Sequence, residues 1–234
     1  GYGGNDKVNP EKFAEAQDPT HVAISLNGEP TLYKRLAEYM DLCHQHGMTT
    51  MLVTNGTLPK VLERLDTLPT QLYVSVDAPN KQVFDDVCRP KWNSGAWAQF
   101  EKTIDLLPSL DTRIVCRHTL MKGVNMSENH IREFASIDRR ADPDWIEAKG
   151  YVYVGHSREH LSIDNMPSHE DILTFSESLA PQVDMRILSE SRPSRVALIG
   201  NEMIPIPIPE ATMHFPENLG IASPIKKLKL ADVS

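Results

Sequence analysis

The sequence predicts an α/β fold: a partial (open) TIM barrel over residues 1–200, followed by an extended, proline-rich tail over 201–234. Three observations predict it. Short apolar runs alternate with amphipathic helical patterns, which means a parallel sheet with right-handed crossovers. Each run has one mainly apolar side and one more polar side, because alternate strand residues point to opposite faces. The runs also end in polar clusters. A doubly wound sheet buries both faces and favours continuous Val/Ile/Leu runs. A polar inner face instead fits a barrel with a wet interior and a site at the C-terminal strand ends.

The strands are expected at His21–Leu26, Thr50–Thr54, Leu72–Val76, Arg113–Leu120 and Trp145–Val154. Helices are expected near Leu32–His46, Pro59–Leu65, Lys81–Val87, Ala96–Leu107 and Ser127–Ile137. In the first helix Leu32, Leu36, Tyr39, Met40 and Cys43 form one stripe, and Gly47 is the stop. A further helix, Ser168–Ala180, has Ser168 as N-cap and Asp171 three residues on, close to a capping box. The run Ile204-Pro205-Ile206-Pro207-Ile208-Pro209 excludes a helix or a central strand and opens the tail.

The polar faces gather charge. Glu147, Lys149, Tyr151 and Tyr153 share one face of the last strand; Arg117 and Thr119 share one face of the strand before it. Tyr73, Ser75 and Asp77 do so on the third, and Ser25, Asn27 and Glu29 on the first. Burying Glu29, Asp77, Arg117, Glu147 and Lys149 together without a ligand is costly. The competing reading is a packed barrel core in which these groups satisfy one another.

Composition bounds the function. Of 234 residues, 40% are apolar and 24% charged, and the formal charge is −8. That balance reads as globular. It argues against bulk electrostatic wrapping of nucleic acid and leaves room for a local basic patch. No apolar run is long enough to span a bilayer, and the start has no signal-peptide pattern. Cys43, Cys88 and Cys116 are odd in number and widely spaced, which is neither a disulfide framework nor a cluster motif. A cytoplasmic location is expected.

The candidate site suits a ligand with an ammonium, a carboxylate, ribose hydroxyls and a base. In Ser25-Leu26-Asn27-Gly28-Glu29-Pro30-Thr31, Gly28 permits close approach and Pro30 stops ladder pairing, so Glu29 stands at a sheet rim. Glu29 can accept hydrogen bonds from an α-ammonium. Asp77 or Ser75 can bond a ribose hydroxyl, and Arg117 can hold a carboxylate by its fork. Asn55 can orient the ligand, or Asn55-Gly56 is simply a turn. An inward Lys149 can act as acid, base or Schiff-base amine; the rival reading is a salt bridge to Glu147 or Glu29. Lys122 lies just past a strand end and meets substrate or solvent. Ser157 and Arg158 suit a phosphate, and His169 is a surface or substrate-side residue at a helix start. Ser191–Arg195 and Lys226–Lys229 are small basic patches. No Ser–His–Asp triad, P-loop or His/Cys metal set is present in the sequence.

Several segments together resemble the radical S-adenosylmethionine (SAM) superfamily, and within it the tRNA 4-demethylwyosine synthase family. They are His21–Tyr33 with its Gly28-Glu29-Pro30, Val53-Thr54-Asn55-Gly56-Thr57, and Gln71–Pro79. Cys88-Arg89-Pro90, Thr119–Gly123, Ile146–Gly155 and Asn165–Glu170 follow in order. Each is modest alone; the ordered set, from about Gly1 to Gly200, is specific. The resemblance implies a partial TIM barrel of the radical SAM type, with SAM at its C-terminal rim. It implies that Gly28, Glu29 and Pro30 bind the SAM amino group and that Asn55, Ser75 and Asp77 line the SAM pocket. Arg117, Lys122, Lys149 and Arg158 then lie toward the substrate. It further implies a 4Fe–4S cluster, an electron donor, and condensation of N1-methylguanosine in tRNA-Phe with carbons of pyruvate.

The sequence departs from the family at one point. The Cys-x-x-x-Cys-x-x-Cys cluster loop and the pyruvate-holding lysine are expected before Gly1, and the three cysteines here do not replace the loop. The chain alone is therefore expected to be inactive as an enzyme. The alternative is a cluster-less paralogue of the barrel that binds a nucleotide or tRNA.

Overall fold

The computed structural model describes residue 5 and residues 7–26, 28–90 and 95–213. After the short helix α1 (Pro10–Glu15), strands and helices alternate: β1 (His21–Ile24), α2 (Leu36–Gln45), β2 (Thr49–Thr54), α3 (Pro59–Leu62), β3 (Gln71–Ser75). Then come α4 (Lys81–Val87), α5 (Ala96–Leu106), β4 (Arg113–Leu120), α6 (Glu128–Ala141), β5 (Trp145–Gly150), α7 (His169–Leu179), β6 (Arg186–Ser191) and β7 (Val196–Gly200). The sheet order is β1-β2-β3-β4-β5-β7-β6. The first five strands pair in parallel, and β7 adds antiparallel to β5. The sheet is open, with β1 and β6 at its edges.

One face of the sheet is sealed by helices. Leu52, Leu72, Val74, Cys116, Ile146 and Ala148 are fully buried there, against Met40, Phe100, Ile104, Phe134, Ile172 and Leu179. Each large side chain in this layer contributes roughly 1.5–3 kcal/mol of burial free energy. The same face holds a fully buried polar pair: His118 Nε2 and Asp138 Oδ1 lie 3.0 Å apart, linking β4 to α6. The His118 ring stacks on Phe134 at 4.4 Å between centroids. The other face carries Tyr73, Ser75, Arg117, Thr119, Glu147 and Lys149, all half-buried.

Several elements differ from the sequence expectation. The β1 ladder stops at Ile24, because Leu26 at φ 89 and Gly28 at φ 76 leave the extended region. The first helix starts at Leu36, after a separate 3-10 turn at Pro30–Leu32; Tyr33 is extended and breaks the continuity. Of the expected stripe, Leu36, Met40 and Cys43 are buried, while Leu32 and Tyr39 are exposed. Gly47, at φ 71, does end the segment. The β5 ladder ends at Gly150 rather than Val154. The capping box forms in full: Ser168 accepts from Asp171 N, and Asp171 accepts from Ser168 N. The hairpin of β6 and β7 was not expected. Ser191–Arg195, read as a basic patch, forms its tip.

Residues 201–213 contain no helix or strand and cross the N-terminal end of the sheet. Trp145 Nε1 donates to Glu202 O and Arg113 Nη1 to Pro205 O. Ile206 lines a small hollow with Ala23, Met51 and Gln71. Thr212 N and Met213 N both donate to Gln45 O at the end of α2. The patch at Lys226–Lys229 and the inward position given to Asn27 lie outside the described residues.

Candidate functional site

The C-terminal strand ends open onto a cavity of about 630 Å³. That is within the range of small-molecule sites. Glu29, Asn55, Ser75 and Asp77 line it on the polar side, and Leu58, Phe84, Val87 and Ala96 on the apolar side. The residues come from three strand ends and from α4 and α5, so folding alone brings them together.

Glu29 caps the 3-10 turn that Pro30 begins. Its Oε1 accepts from Thr31 N at 3.1 Å, Thr31 Oγ1 at 2.7 Å and Thr54 Oγ1 at 2.6 Å. Its Oε2 accepts from Asn55 N at 2.8 Å. Oε1 is thus crowded, while Oε2 keeps lone-pair capacity for a ligand donor. Such multiple donation fixes the carboxylate before a ligand arrives.

Asn55 uses its Oδ1 on Thr57 N and Oγ1, at 3.0 and 2.7 Å. The turn and ligand readings are therefore compatible, since the Nδ2 amide is left over. Gly56 follows at φ 69, and an added Cβ would meet Val74 and Phe100 at 3.2 and 3.3 Å. Only glycine fits this turn without displacing core atoms.

Among the residues lining this cavity, Asp77 is the one with a buried, unmet acceptor. Its Oδ1 is buried with no partner. Burial raises its pKa; a hydrogen bond from Thr119 and the charges of His118 and Arg117 oppose the rise. An orphaned carboxyl oxygen beside a cavity fits a hydroxyl donor, such as a ribose.

Beside this cavity, the inner face carries a row of aligned residues: Ser75 faces Arg117, and Arg117 faces Glu147. Arg117 Nε donates to Glu147 Oε1 at 2.8 Å, and its guanidinium lies 4.5 Å over the Tyr73 ring. Burial, then Glu147, pushes the Tyr73 phenol up. The next row holds Thr119 opposite Lys149. Lys149 makes no salt bridge among the described residues, because Glu147 is taken by Arg117 and Glu29 by its four donors. The expected pairing of Lys149 with either acid does not form.

The remaining candidates sit elsewhere. Lys122 pairs with Asp171 at 3.0 Å and lines a separate groove between α6 and α7. The Ser157 hydroxyl lies 2.7 Å from Tyr151 OH and donates to Val154 O. Arg158 lies over the Tyr153 ring at 5.5 Å. His169 is buried, with Nε2 3.3 Å from Glu190 on β6. Its place in the first turn of α7 turns it toward the hairpin. Thr119 and Tyr73 were placed on the polar strand faces by the sequence but given no site role, and Thr31 and Thr54 were not singled out. Thr31 and Thr54 flank the motifs that were, and that adjacency was the available signal.

Residues 9–135 match the family described as the radical SAM superfamily. The chain belongs to the radical SAM superfamily. Residues 140–201 match a second family, described as wyosine base formation. The chain is 45% identical over 203 residues to the S-adenosyl-L-methionine-dependent tRNA 4-demethylwyosine synthase of Pyrococcus horikoshii, covering 85% of this chain and 58% of that protein. The protein of the same name in Methanocaldococcus jannaschii is 39% identical, with 86% and 63% covered. Among solved structures, TYW1 with a lysine-pyruvate adduct bound superimposes at a TM-score of 0.74 and 37% identity, covering 84% of this chain and 61% of that one. The chain thus spans about six-tenths of the length of these archaeal relatives.

Superfamily membership implies SAM and a 4Fe–4S cluster. The cavity fits SAM: it offers a fixed carboxylate, an unpartnered acid and an apolar wall. A cluster does not fit the described residues. Cys43 and Cys116 are buried, with thiol pKa values raised by burial, and no group of three or more His, Cys, Asp or Glu is placed to hold a metal. No helix among the described residues is long and apolar enough to cross a membrane.

Proposed function

We propose that this chain forms the SAM and substrate barrel of an enzyme building the 4-demethylwyosine base on tRNA, a radical carbon–carbon lyase by class. The substrates on this reading are N1-methylguanosine in tRNA-Phe and pyruvate, with an external electron donor and a cytoplasmic setting. The observation that carries it is the single cavity lined by Glu29, Asn55, Ser75 and Asp77. SAM supplies the radical chemistry in this superfamily, and the residues here bind and orient it. Glu29 Oε2 receives the ammonium, Asp77 Oδ1 a ribose hydroxyl, and Asn55 Nδ2 the carboxylate or base. Arg117, fixed by Glu147 and Tyr73, gives a positive wall beside the row of Lys149. Lys149, with no ion pair of its own among the described residues, is the group to donate or accept a proton on the substrate side. The 234-residue chain by itself, with no cluster ligands among its described residues, is expected to bind SAM without cleaving it. Domains at 1–200 and 201–234, and the substrate-side roles of Lys122, Ser157, Arg158 and His169, remain part of the proposal.

The test is Glu29→Ala with SAM binding measured by calorimetry. Loss of a charge-assisted hydrogen bond is worth roughly 1.5–3 kcal/mol, so affinity is expected to fall on the order of tenfold to a hundredfold. Unchanged affinity in a folded variant removes SAM from this cavity.

A further inference from the structure

A second groove, of about 630 Å³, adjoins the cavity. It runs between the start of α2 and α3. Leu32 and Leu58 line both hollows, so the two share a wall. The groove is lined by the cations Lys34, Arg35, Lys60 and Arg64 and by two carboxylates, Glu38 and Asp66. Lys34, Lys60 and Arg64 are exposed and make no ion pair among the described residues. Arg35 pairs with Glu38 at 2.6 Å, and both are more than half exposed. Exposed pairs of this kind are weak and exchange readily. Two large side chains stand in solvent beside them: Leu32 is 69% exposed and Tyr33 55%.

This cluster runs against the chain's formal charge of −8. On the far side of the rim Lys122 is held by Asp171 and Arg192 by Glu170. We infer that the groove receives the sugar-phosphate backbone of the RNA whose base enters the cavity, with Tyr33 as a stacking surface. The inference rests on the tRNA reading above. Lysine ammoniums act as point charges for phosphates. An unpaired base splayed toward a pocket stacks on aromatic rings at its lip. An acidic protein would also be drawn to these charges. The wall shared with the cavity and the exposed tyrosine favour a nucleotide chain, which can lie along the groove while one of its bases reaches the adjoining cavity.

The experiment uses the full-length protein and a tRNA anticodon stem-loop carrying N1-methylguanosine. Binding is followed by fluorescence anisotropy across a salt series. The groove variant is Lys34→Glu/Lys60→Glu/Arg64→Glu. The charge-matched control, Lys102→Glu/Arg139→Glu/Arg186→Glu, alters α5, the end of α6 and the start of β6. Each phosphate contact contributes about 0.7–0.9 to the salt slope, so the groove variant should lose about 2 from it and on the order of tenfold in affinity. SAM affinity should stay within about twofold, since no changed residue lines the cofactor cavity. As a milder second variant, Tyr33→Ala should weaken stem-loop binding roughly fivefold while keeping every charge. If groove and control variants bind the stem-loop alike, the groove assignment is overturned. If the groove variant keeps RNA binding but is no longer reduced by an acidic electron-donor protein, the groove belongs to that partner and the inference fails. If the wild-type protein itself does not bind the stem-loop above unmodified control RNA, the tRNA reading fails instead.

Discussion

The two halves of the barrel rim use their polar side chains in opposite ways. On the β1–β3 side, Asp77 Oδ1 has no partner, Asn55 Nδ2 is free of its turn, and Glu29 keeps capacity on Oε2. On the β4–β7 side several polar groups are consumed internally, although Lys149 makes no ion pair and the Nδ1 atoms of His130 and His169 are buried without a partner among the described residues. Lys122 holds Asp171, Arg192 holds Glu170, His169 faces Glu190, and Ser157 is shared between Tyr151 and Val154. The first half leaves demand for a ligand to meet. The second half ties the α7 start, the hairpin tip and the loops after β4 and β5 into one scaffold. Polar content alone does not mark a site; what distinguishes the β1–β3 half is that Glu29, Asn55 and Asp77 bring their spare capacity to one cavity.

The sharpest separation of scaffold from site comes from the buried pair on the helix face. Asp138→Ala leaves His118 sealed beneath Phe134 and Phe175 without its partner. Leaving a buried donor without its acceptor typically costs about 1–3 kcal/mol. Urea unfolding should show a loss of that order, while SAM affinity of the folded fraction stays unchanged. A large loss of SAM affinity in folded protein would mean that the helix face and the cavity are coupled, and the division drawn here would fail.

Much of this division was legible in the sequence. Strand alternation separated Arg117 and Glu147 from Cys116 and Ile146, and the polar strand ends pointed to Glu29, Asn55, Ser75 and Asp77. Those features depend on local period, which sequence carries well. The hairpin of β6 and β7 was not legible. Arg186–Ser191 alternates weakly, with half of its residues exposed and none fully buried, so it shows no apolar stripe. The contacts of Lys122 and His169 were also hidden. Each is decided by a partner far along the chain, Asp171 or Glu190, and no spacing rule reports such contacts. The freedom of Lys149 was likewise invisible, because it depends on Arg117 claiming Glu147 first.

Asp77 gives a pH-dependent way to sharpen the contrast. Its folded pKa is raised above the ordinary value of 3.8, chiefly by burial. The ligand-free folded state therefore binds this proton more tightly than the unfolded chain. Stability attributable to Asp77 is present at low pH and is lost as pH rises from the ordinary value through the raised one. SAM affinity should run the other way over the same window, because the ionised carboxylate is the better acceptor for a ribose hydroxyl. Asp77→Asn should flatten both profiles and weaken SAM binding at neutral pH. An unaltered pH profile in that variant would show that Oδ1 is not the group the ligand engages.

The smallest expected effect is the most direct check on the far side of the rim. The Lys122–Asp171 pair is solvent-exposed on the lysine side, at 58% against 30% for its partner. Exposed pairs contribute roughly 0–1 kcal/mol, and Asp171 keeps its capping-box bonds to Ser168 without the lysine. Lys122→Ala should therefore shift the thermal midpoint by only a few degrees. It should leave SAM affinity within about twofold, because Lys122 lines the groove between α6 and α7 and not the cofactor cavity. If it abolishes product formation while stability and SAM binding hold, the substrate-side role proposed for Lys122 is supported and the far side is more than scaffold. The two halves would then be two parts of one site, with Lys122 exchanging Asp171 for a substrate anion.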